Sequence, residues 1–262
     1  METNDNRTLF AEERKNKILE LLRKKGKVLV PDLCETFNVS PATTRNDLNE
    51  LEKTGLLKRT HGGAINISRA GFEPDYQQRG IKNLEQKEKI AKKALEYVDE
   101  GDIILLDTGT TTLQFSKMLK SKKNITIVVN DTEIARELED SDDINVILIG
   151  GNLRRKFHCT VGPIATQILN DLNVDKAFMA TNGISLEKGL TTPDLTQAEV
   201  KEIMIKISSE VILLCDSSKF GKNSFARVDT LSNIDRIITD DNIDREYAKE
   251  LESLGIDVVI AK

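Results

Sequence analysis

Four loops in the C-terminal two thirds of the chain carry residue types suited to an anionic, hydroxylated ligand. Each loop follows an apolar run that predicts a strand. The candidate residues are Asp107, Thr108, Gly109, Thr110 and Thr111, then Gly150 and Gly151, then Asn182 and Gly183, and finally Asp216 and Lys219. Hydroxyl and amide groups bond sugar hydroxyls, and a lysine attracts an anionic group. We therefore expect these residues to bind a small effector.

The first of these loops, Asp107-Thr-Gly-Thr-Thr-Thr, places one glycine and four hydroxyl side chains at the start of a predicted helix. Free backbone amides and the positive end of the helix dipole attract anions at such a position. The loop therefore suits a phosphate monoester. The alternative is a capped turn that needs Gly109 only for its backbone.

A second group of polar residues, near the N-terminus, suits DNA. Ser40 and Pro41 predict the start of a helix, because serine caps the first turn and proline loses no hydrogen bond there. The apolar stripe of this helix is Thr44, Leu48 and Leu51. The residues we expect to contact DNA from this helix are Ser40, Ala42, Thr43, Arg45, Asn46 and Asn49. Arginine and asparagine have the forked geometry that matches base edges in the major groove, although an ordinary solvated face is the alternative.

The neighbouring segments predict a winged helix-turn-helix around that helix. Apolar spacing predicts helices from about Ala11 to Lys25 and from Pro31 to Phe37. Downstream, two short strand-like runs flank Gly62-Gly63, which is a hairpin signal. In this arrangement the third helix reads bases, and a basic wing that contains Lys58, Arg59 and His61 contacts phosphate.

The effector loops need a parallel sheet to bring them together. Predicted strands are 103–106, 125–129, 146–149, 176–179, 211–215, 236–239 and 258–260, and predicted helices are 85–98, 112–119, 132–138, 163–172, 197–208 and 244–254. Apolar strands that alternate with helices indicate an α/β fold with a mainly parallel, doubly wound sheet. Because ligands bind outside the carboxyl ends of such strands, the four loops are expected to face one crevice.

The length of 262 residues predicts two domains, which we place at 11–67 for the winged helix-turn-helix and 84–262 for the ligand-sensing domain, with a linker at 68–83. Net charge is +2 for residues 1–66 and −7 for residues 67–262. So weak a positive charge favours DNA binding through several contacts at once. We therefore expect a homo-oligomer, a dimer or a tetramer, on a repeated site.

The cysteines and the apolar runs bear on the cellular compartment, on metal binding and on membrane association. Cys34, Cys159 and Cys215 are an odd number without close spacing, which is typical of reduced cytosolic thiols. With only His61 and His158 beside them, the sequence suggests no metal site, and we expect no cofactor. No apolar run approaches the length of about 18 residues that a membrane span needs, so a cytoplasmic protein without a membrane partner is expected.

The motifs on which these expectations rest resemble the DeoR family of bacterial transcriptional regulators. The N-terminal resemblance lies in Val39-Ser-Pro-Ala-Thr-Thr-Arg-Asn-Asp-Leu and Lys58-Arg-Thr-His-Gly-Gly-Ala, and the C-terminal resemblance lies in the effector loops. One departure is Thr44, where the family usually has an aliphatic residue; its methyl group can pack inward while its hydroxyl bonds a preceding carbonyl.

The resemblance implies a repressor of a sugar-utilisation operon that binds a double-stranded operator and a phosphorylated sugar. It also implies a sensor domain similar to the ribose-phosphate isomerase, glucosamine-phosphate deaminase and CoA-transferase folds. Thr191-Thr-Pro-Asp194 is similar to the variant found in fructose-type regulators.

Two other functions remain open at this stage. An active sugar-phosphate isomerase or deaminase with a DNA-binding head would need a general base and an acid. Asp107, Glu199 and Asp216 are carboxylates near the strand ends, but no pair of them has a spacing that suggests acid–base work, and we expect no catalytic residue. A nucleic-acid-associated protein whose C-terminal domain only dimerises would respond to no metabolite.

Overall fold

The computed structural model describes residues 10–54, 56–66, 73–74 and 76–262. The chain divides into two compact units, residues 1–69 and residues 70–262. Ile67 of the predicted DNA-binding domain and residues 68–72 and 75 of the predicted linker lie outside the described residues. None of the described helices is long and apolar enough to cross a membrane.

Among its described residues, the N-terminal unit has three helices and a small antiparallel sheet, which confirms the winged helix-turn-helix. Its elements are α1 (Ala11–Lys25), β1 (Lys27–Leu29), α2 (Val30–Phe37), α3 (Pro41–Lys53), β2 (Leu57–Thr60) and β3 (Gly63–Asn66). The strand order is β1-β3-β2. Strand β1 adds to the predicted elements; it forms because α1 ends at Gly26, which adopts a left-handed φ of 71° and donates its N–H to Leu22 O at 2.9 Å.

Helix α3 begins as its sequence predicts. Ser40 Oγ accepts a hydrogen bond from Thr43 N at 3.1 Å, which caps the first turn. Thr44, Leu48 and Leu51 are buried in the unit's core. The Thr44 hydroxyl lies 3.3 Å from Cys34 Sγ on α2, a partner other than the backbone carbonyl expected. A bidentate ion pair between Arg14 on α1 and Asp47 on α3, both buried, further ties α3 to the unit.

The C-terminal unit is an α/β fold around seven parallel strands, as predicted. The elements up to the fourth sheet strand are α4 (Tyr76–Ile81), α5 (Leu84–Ala94), β4 (Ile103–Leu106), α6 (Thr110–Leu119), β5 (Ile125–Val129), α7 (Thr132–Leu138), β6 (Ile144–Leu148), β7 (Asn152–Arg154), β8 (Cys159–Val161), α8 (Pro163–Asn170) and β9 (Val174–Met179). The remaining elements are β10 (Gly183–Ser185), β11 (Gly189–Thr192), α9 (Leu195–Lys206), β12 (Ser208–Leu214), β13 (Ala226–Asp229), β14 (Arg236–Asp240), α10 (Arg245–Ser253) and β15 (Asp257–Ala261).

The order of the parallel sheet is β15-β14-β12-β9-β4-β5-β6. Successive residues of each strand point to opposite faces, so Leu105 belongs to one buried cluster and Leu106 to another. Residues of α8, α9 and α10 pack in the first cluster, and residues of α5, α6 and α7 pack in the second. The sheet is therefore covered by helices on both sides, and β15 and β6 are its outer strands.

Two features of the C-terminal unit differ from the prediction. Five short strands form small antiparallel sheets beside the main one: β7 with β8, and β10 with β11 and β13. Within the predicted linker, residues 76–81 form α4, a helix that the sequence analysis did not predict, and the Glu73 side chain is 3% exposed. A helix of six residues has too few turns for a visible apolar period, which is why the sequence did not reveal it.

Candidate functional site

The outward face of α3 presents the predicted base-reading residues. Ala42, Arg45, Asn46 and Asn49 are exposed. Within the described part of the chain, the Arg45 and Asn46 side chains make no hydrogen bond or ion pair, so their donors and acceptors are available to a partner. Ser40 and Thr43 have a second role, because their side chains cap the helix and bond each other at 2.9 Å.

The wing presents His61 and Lys58 as exposed residues at and near the β2–β3 turn. Arg59, predicted to contact phosphate, instead lies against α3. Its Nη1 donates hydrogen bonds to Asn49 Oδ1 and to Arg45 O, the latter at 3.4 Å. Arg59 therefore holds the wing against the reading helix, and Asn49 shares its side-chain oxygen with that contact.

The effector loops lie at one edge of the C-terminal unit's sheet. β4 leads through α6 to β5 on one side, whereas β9 leads through the β10–β11 hairpin and α9 to β12 on the other. The connections thus diverge between β4 and β9, and in open α/β sheets this divergence creates a crevice at the carboxyl ends of the two strands. The predicted residues 107–111 follow β4, and Asn182 follows β9.

Asp107 joins these two loops and is fully buried. Its carboxylate, 0% exposed, accepts hydrogen bonds from Thr108 N at 2.8 Å, from Ala180 N at 2.9 Å and from Lys201 Nζ. Lys201, on α9, also donates to Ala180 O at 2.9 Å. This buried ion pair links β4, β9 and α9, while the effector contact of Asp107 stays a prediction.

The start of α6 is arranged for an anion. Gly109 precedes the helix without a side-chain cap, so the first amides of α6 have no partner inside the helix. The hydroxyls of Thr110 and Thr111 bond to no other described residue, whereas Thr108 Oγ1 donates to Asp131 Oδ2 at 2.5 Å and Thr112 Oγ1 donates to Gly109 O at 2.9 Å. A side chain at position 109 would place its Cβ 3.1 Å from Ala180 Cβ, which keeps this residue small.

Residues 73–74 and 76–83, which we call the edge segment, contact two of the effector loops and the β7–β8 loop. Asn182 Nδ2 donates to Glu73 Oε1 at 3.1 Å, and Asn83 Nδ2 donates to Asp216 Oδ1 at 2.7 Å. The Tyr76 ring meets the His158 ring edge-on at 5.0 Å in the β7–β8 loop. The edge segment therefore spans the carboxyl edge of the sheet from β12 to the β7–β8 hairpin.

Cations gather where the edge segment meets the β12 loop. Lys87 is buried and donates hydrogen bonds to the backbone oxygens of Arg79 and of Lys82, the latter at 2.6 Å. Burial lowers the pKa of Lys87 to about 8; Asp216 opposes this change, while Lys219 and Arg79 reinforce it. The charges of Arg79, Lys82 and Lys219 thus act on Lys87 together with that of Asp216, while Arg79 is also paired with the Glu73 carboxylate.

Asp216 keeps its charge in this cluster. Burial disfavours its ionised form, but Lys219 and the hydrogen bonds from Ser218 and Asn83 outweigh burial, so that the pKa of Asp216 lies below its usual value. Asp216 also caps the single 3-10 turn that carries Lys219. It therefore orients Lys219 and stays an acceptor at neutral pH.

Two predicted glycine positions serve packing. A Cβ at Gly151 would lie 2.8 Å from Val161 O, and one at Gly183 would lie 2.5 Å from Lys222 O. These glycines let β7 and β10 approach neighbouring backbone, and their contact with a ligand stays a prediction. Gly150 is exposed and has open space around it.

Several site residues were absent from the sequence prediction. They are Glu73, Arg79, Lys87, Asp131, Arg154 and Lys201. Two of them had a usable signal, because Lys87 precedes Ile90, Ala91 and Ala94 in the buried stripe of α5, and Lys201 precedes Met204 and Ile205 in that of α9. A lysine inside an apolar stripe must find a partner, and it is therefore a candidate for a site.

Two family models match the chain. One, the DeoR-like helix-turn-helix domain, matches residues 14–70, and the other, the DeoR C terminal sensor domain, matches residues 82–241.

Relatives of similar length include three named regulators. The HTH-type transcriptional regulator GlpR of Haloferax volcanii is 39% identical over 94% of this chain and 96% of its own. The HTH-type transcriptional regulator GolR of Listeria innocua is 34% identical over 97% of this chain and 100% of its own. The transcriptional repressor AccR of Agrobacterium fabrum is 35% identical over 87% of this chain and 89% of its own. Among solved structures, ribose 5-phosphate isomerase A from Methanocaldococcus jannaschii aligns with a TM-score of 0.40 and 20% identity, covering 53% of this chain and 55% of that one.

Proposed function

The chain belongs to the DeoR family of DNA-binding transcriptional regulators, and we propose that it is a cytoplasmic repressor of a sugar-utilisation operon. Its operator affinity changes when a phosphorylated sugar binds at the carboxyl edge of the sensor sheet. The ligand must bind the DNA-competent and DNA-incompetent states with different free energies, because equal binding would shift neither.

The observation that carries this proposal is the cationic cluster around Lys87. In a unit whose net charge is negative, Lys87 is close enough to interact with the charges of Arg79, Lys82 and Lys219, and Asp216 and Glu73 are the carboxylates paired with this group of four cations. Clustered cations of this kind repel one another, and a phosphate group would relieve that repulsion. The uncapped start of α6, with the Thr110 and Thr111 hydroxyls, supplies neutral donors for the same ligand.

In the N-terminal unit, we propose that Arg45 and Asn46 read bases while His61 and Lys58 contact phosphate. Their exposure and their lack of hydrogen-bond partners in the described part of the chain support these roles. Ala42 allows α3 to approach the groove closely. Arg59 acts through its bonds to α3.

We further propose that the protein binds DNA as a dimer or tetramer. The weak positive charge of the N-terminal unit supports this, as does the outer strand β6, whose Ile147 and Leu148 are 39% and 48% exposed. An open strand edge with apolar side chains is a surface that natural proteins usually cover. Light scattering on the purified protein measures the oligomeric state, and a monomer that binds operator tightly would contradict this part of the proposal.

The proposal is tested by thermal shift against a panel of hexose, pentose and triose phosphates, with the unphosphorylated sugars as matched controls. Selective binding raises the unfolding temperature by mass action, and only the phosphorylated form should do so. The ligand found in this way should then change operator affinity in an anisotropy assay. A coupling of about 1–3 kcal/mol would change that affinity about 5- to 150-fold.

The same ligand distinguishes a sensor from an enzyme. If the protein converts the bound sugar phosphate at rates typical of enzymes, about 1 per second or faster, the sensor proposal is wrong. If no compound of the panel binds or changes operator affinity, a protein that only dimerises on DNA becomes the better description.

A further inference from the structure

A buried carboxylate of the edge segment occupies two arginines at the sheet edge. Glu73 Oε1 lies 2.9 Å from Arg79 Nη1, and Glu73 Oε2 lies 2.8 Å from Arg154 Nη1. Asn182 Nδ2 adds a third hydrogen bond at 3.1 Å. The Glu73 side chain is 3% exposed, and both of its oxygens bond protein donors. These donors are therefore occupied at a place where they would otherwise be available to a ligand.

The arginines are held in place independently of Glu73. The Arg154 guanidinium lies 4.0 Å from the centre of the Phe157 ring and bonds Gln197 Oε1 at 3.1 Å. The Arg79 guanidinium lies 5.3 Å from the same ring. Arg154 Nε also lies 3.4 Å from Asp194 Oδ2. The Phe157 ring, the neutral amide and the Asp194 carboxylate are therefore contacts of the arginine pair that would persist if the Glu73 carboxylate left.

One donor of this pair has no acceptor. Arg79 Nε is buried and has no hydrogen-bond partner in the described part of the chain. Buried N–H groups are rarely left unpaired, and a guanidinium matches a phosphate group as well as it matches a carboxylate. A phosphate offers three acceptor oxygens where Glu73 offers two. Arg79 Nε is therefore a donor for an acceptor oxygen that the resident carboxylate does not supply.

We propose that Glu73 is a built-in competitor of the effector: its carboxylate occupies Arg79 and Arg154 in the unliganded protein, and the effector's phosphate displaces it. This inference rests on the proposed function and names how the site is regulated. Glu73 directly follows residues 67–72 in the sequence, which join the two units. Glu73 is the first described residue after that connection. We therefore expect its displacement to transmit effector binding to the DNA-binding unit.

The first test is Glu73→Gln in the full-length protein, titrated with inorganic phosphate by calorimetry. The neutral amide keeps the shape but competes poorly for the arginines. In the wild type we expect the arginines to be free of Glu73 about a tenth of the time. Phosphate affinity should therefore rise at least about tenfold in Glu73→Gln. The matched control is Glu85→Gln, which removes the same charge from a side chain that is 76% exposed on α5.

A second measurement uses the wild-type protein, so it holds even if Glu73→Gln folds poorly. Hydrogen exchange with and without phosphate is compared for peptides that cover residues 73–83. Displacement predicts faster exchange there when phosphate is bound. Slower exchange, or a Glu73→Gln protein that binds phosphate no more tightly than wild type, would overturn the competitor role and leave the sensor proposal standing. Absence of binding by both proteins would overturn both.

Discussion

The Nζ atom of Lys201 donates a hydrogen bond to the Asp107 carboxylate inside the sensor unit, where the two side chains are 2% and 0% exposed. Asp107 ends β4 and Lys201 lies on α9, so the pair spans the point at which the sheet's connections diverge. Asp107, whose motif predicts a ligand contact, thus also forms an ion pair that stabilises the crevice from inside the unit.

Lys201→Met is predicted to destabilise the sensor unit by about 3–5 kcal/mol, because it leaves the Asp107 charge buried without a partner. Urea unfolding followed by circular dichroism measures the change. Lys206→Met, at an exposed position of the same helix, is the control and should unfold like wild type. If the two variants unfold at the same urea concentration, the ion pair contributes nothing to stability.

Arg45→Ala is predicted to weaken operator binding by about 1–3 kcal/mol and to relax the preference for one base pair, because it removes a forked base contact. Fluorescence anisotropy against the operator and its single-base variants measures both effects. Lys17→Ala removes the same charge from an exposed position on α1 and should leave base preference unchanged. Operator binding by Arg45→Ala that matches wild type would exclude Arg45 as a reader.

Effector affinity is predicted to fall as the pH rises through about 8, the pKa of Lys87. The protonated ammonium attracts the phosphate, and above its pKa this attraction is lost, by up to about tenfold for each pH unit. The ligand stays a dianion in this range, since its second pKa is about 6. Calorimetric titrations from about pH 7 to pH 9 measure the slope.

Two variants test whether Lys87 causes that slope. Lys87→Met should bind the effector weakly at every pH in the range, and the pH dependence should disappear. Lys92→Met, exposed on the same helix, should keep the wild-type slope. A Lys87→Met protein that retains the full slope would assign the titration to another group.

Lys219→Ala is predicted to leave operator binding intact and to weaken the effector response, because one charge-assisted contact of about 1.5–3 kcal/mol is lost. Operator binding is measured with and without the sugar phosphate found in the thermal-shift panel. Lys188→Ala, whose side chain is 56% exposed beside Glu187, is the matched control. A normal response in Lys219→Ala would remove Lys219 from the effector site.

The sequence by itself determined the long elements and their order. All seven strands of the parallel sheet and the start of α3 at Ser40 follow from apolar periodicity and capping, which depend on residues only a few positions apart. The family motifs determined which loops to inspect. Short strands such as β7 and β10, with three residues each, carry too little pattern to be recognised.

Only the tertiary structure decided which side chains meet. Glu73 bonds Asn182 across 109 positions, Asn83 bonds Asp216 across 133, and Lys201 bonds Asp107 across 94. Periodicity reports that a residue is buried, but its partner depends on strand order and on the path of each crossover. For this reason the contacts of Asp107 with Lys201 and of Glu73 with Asn182 could not be predicted from the sequence.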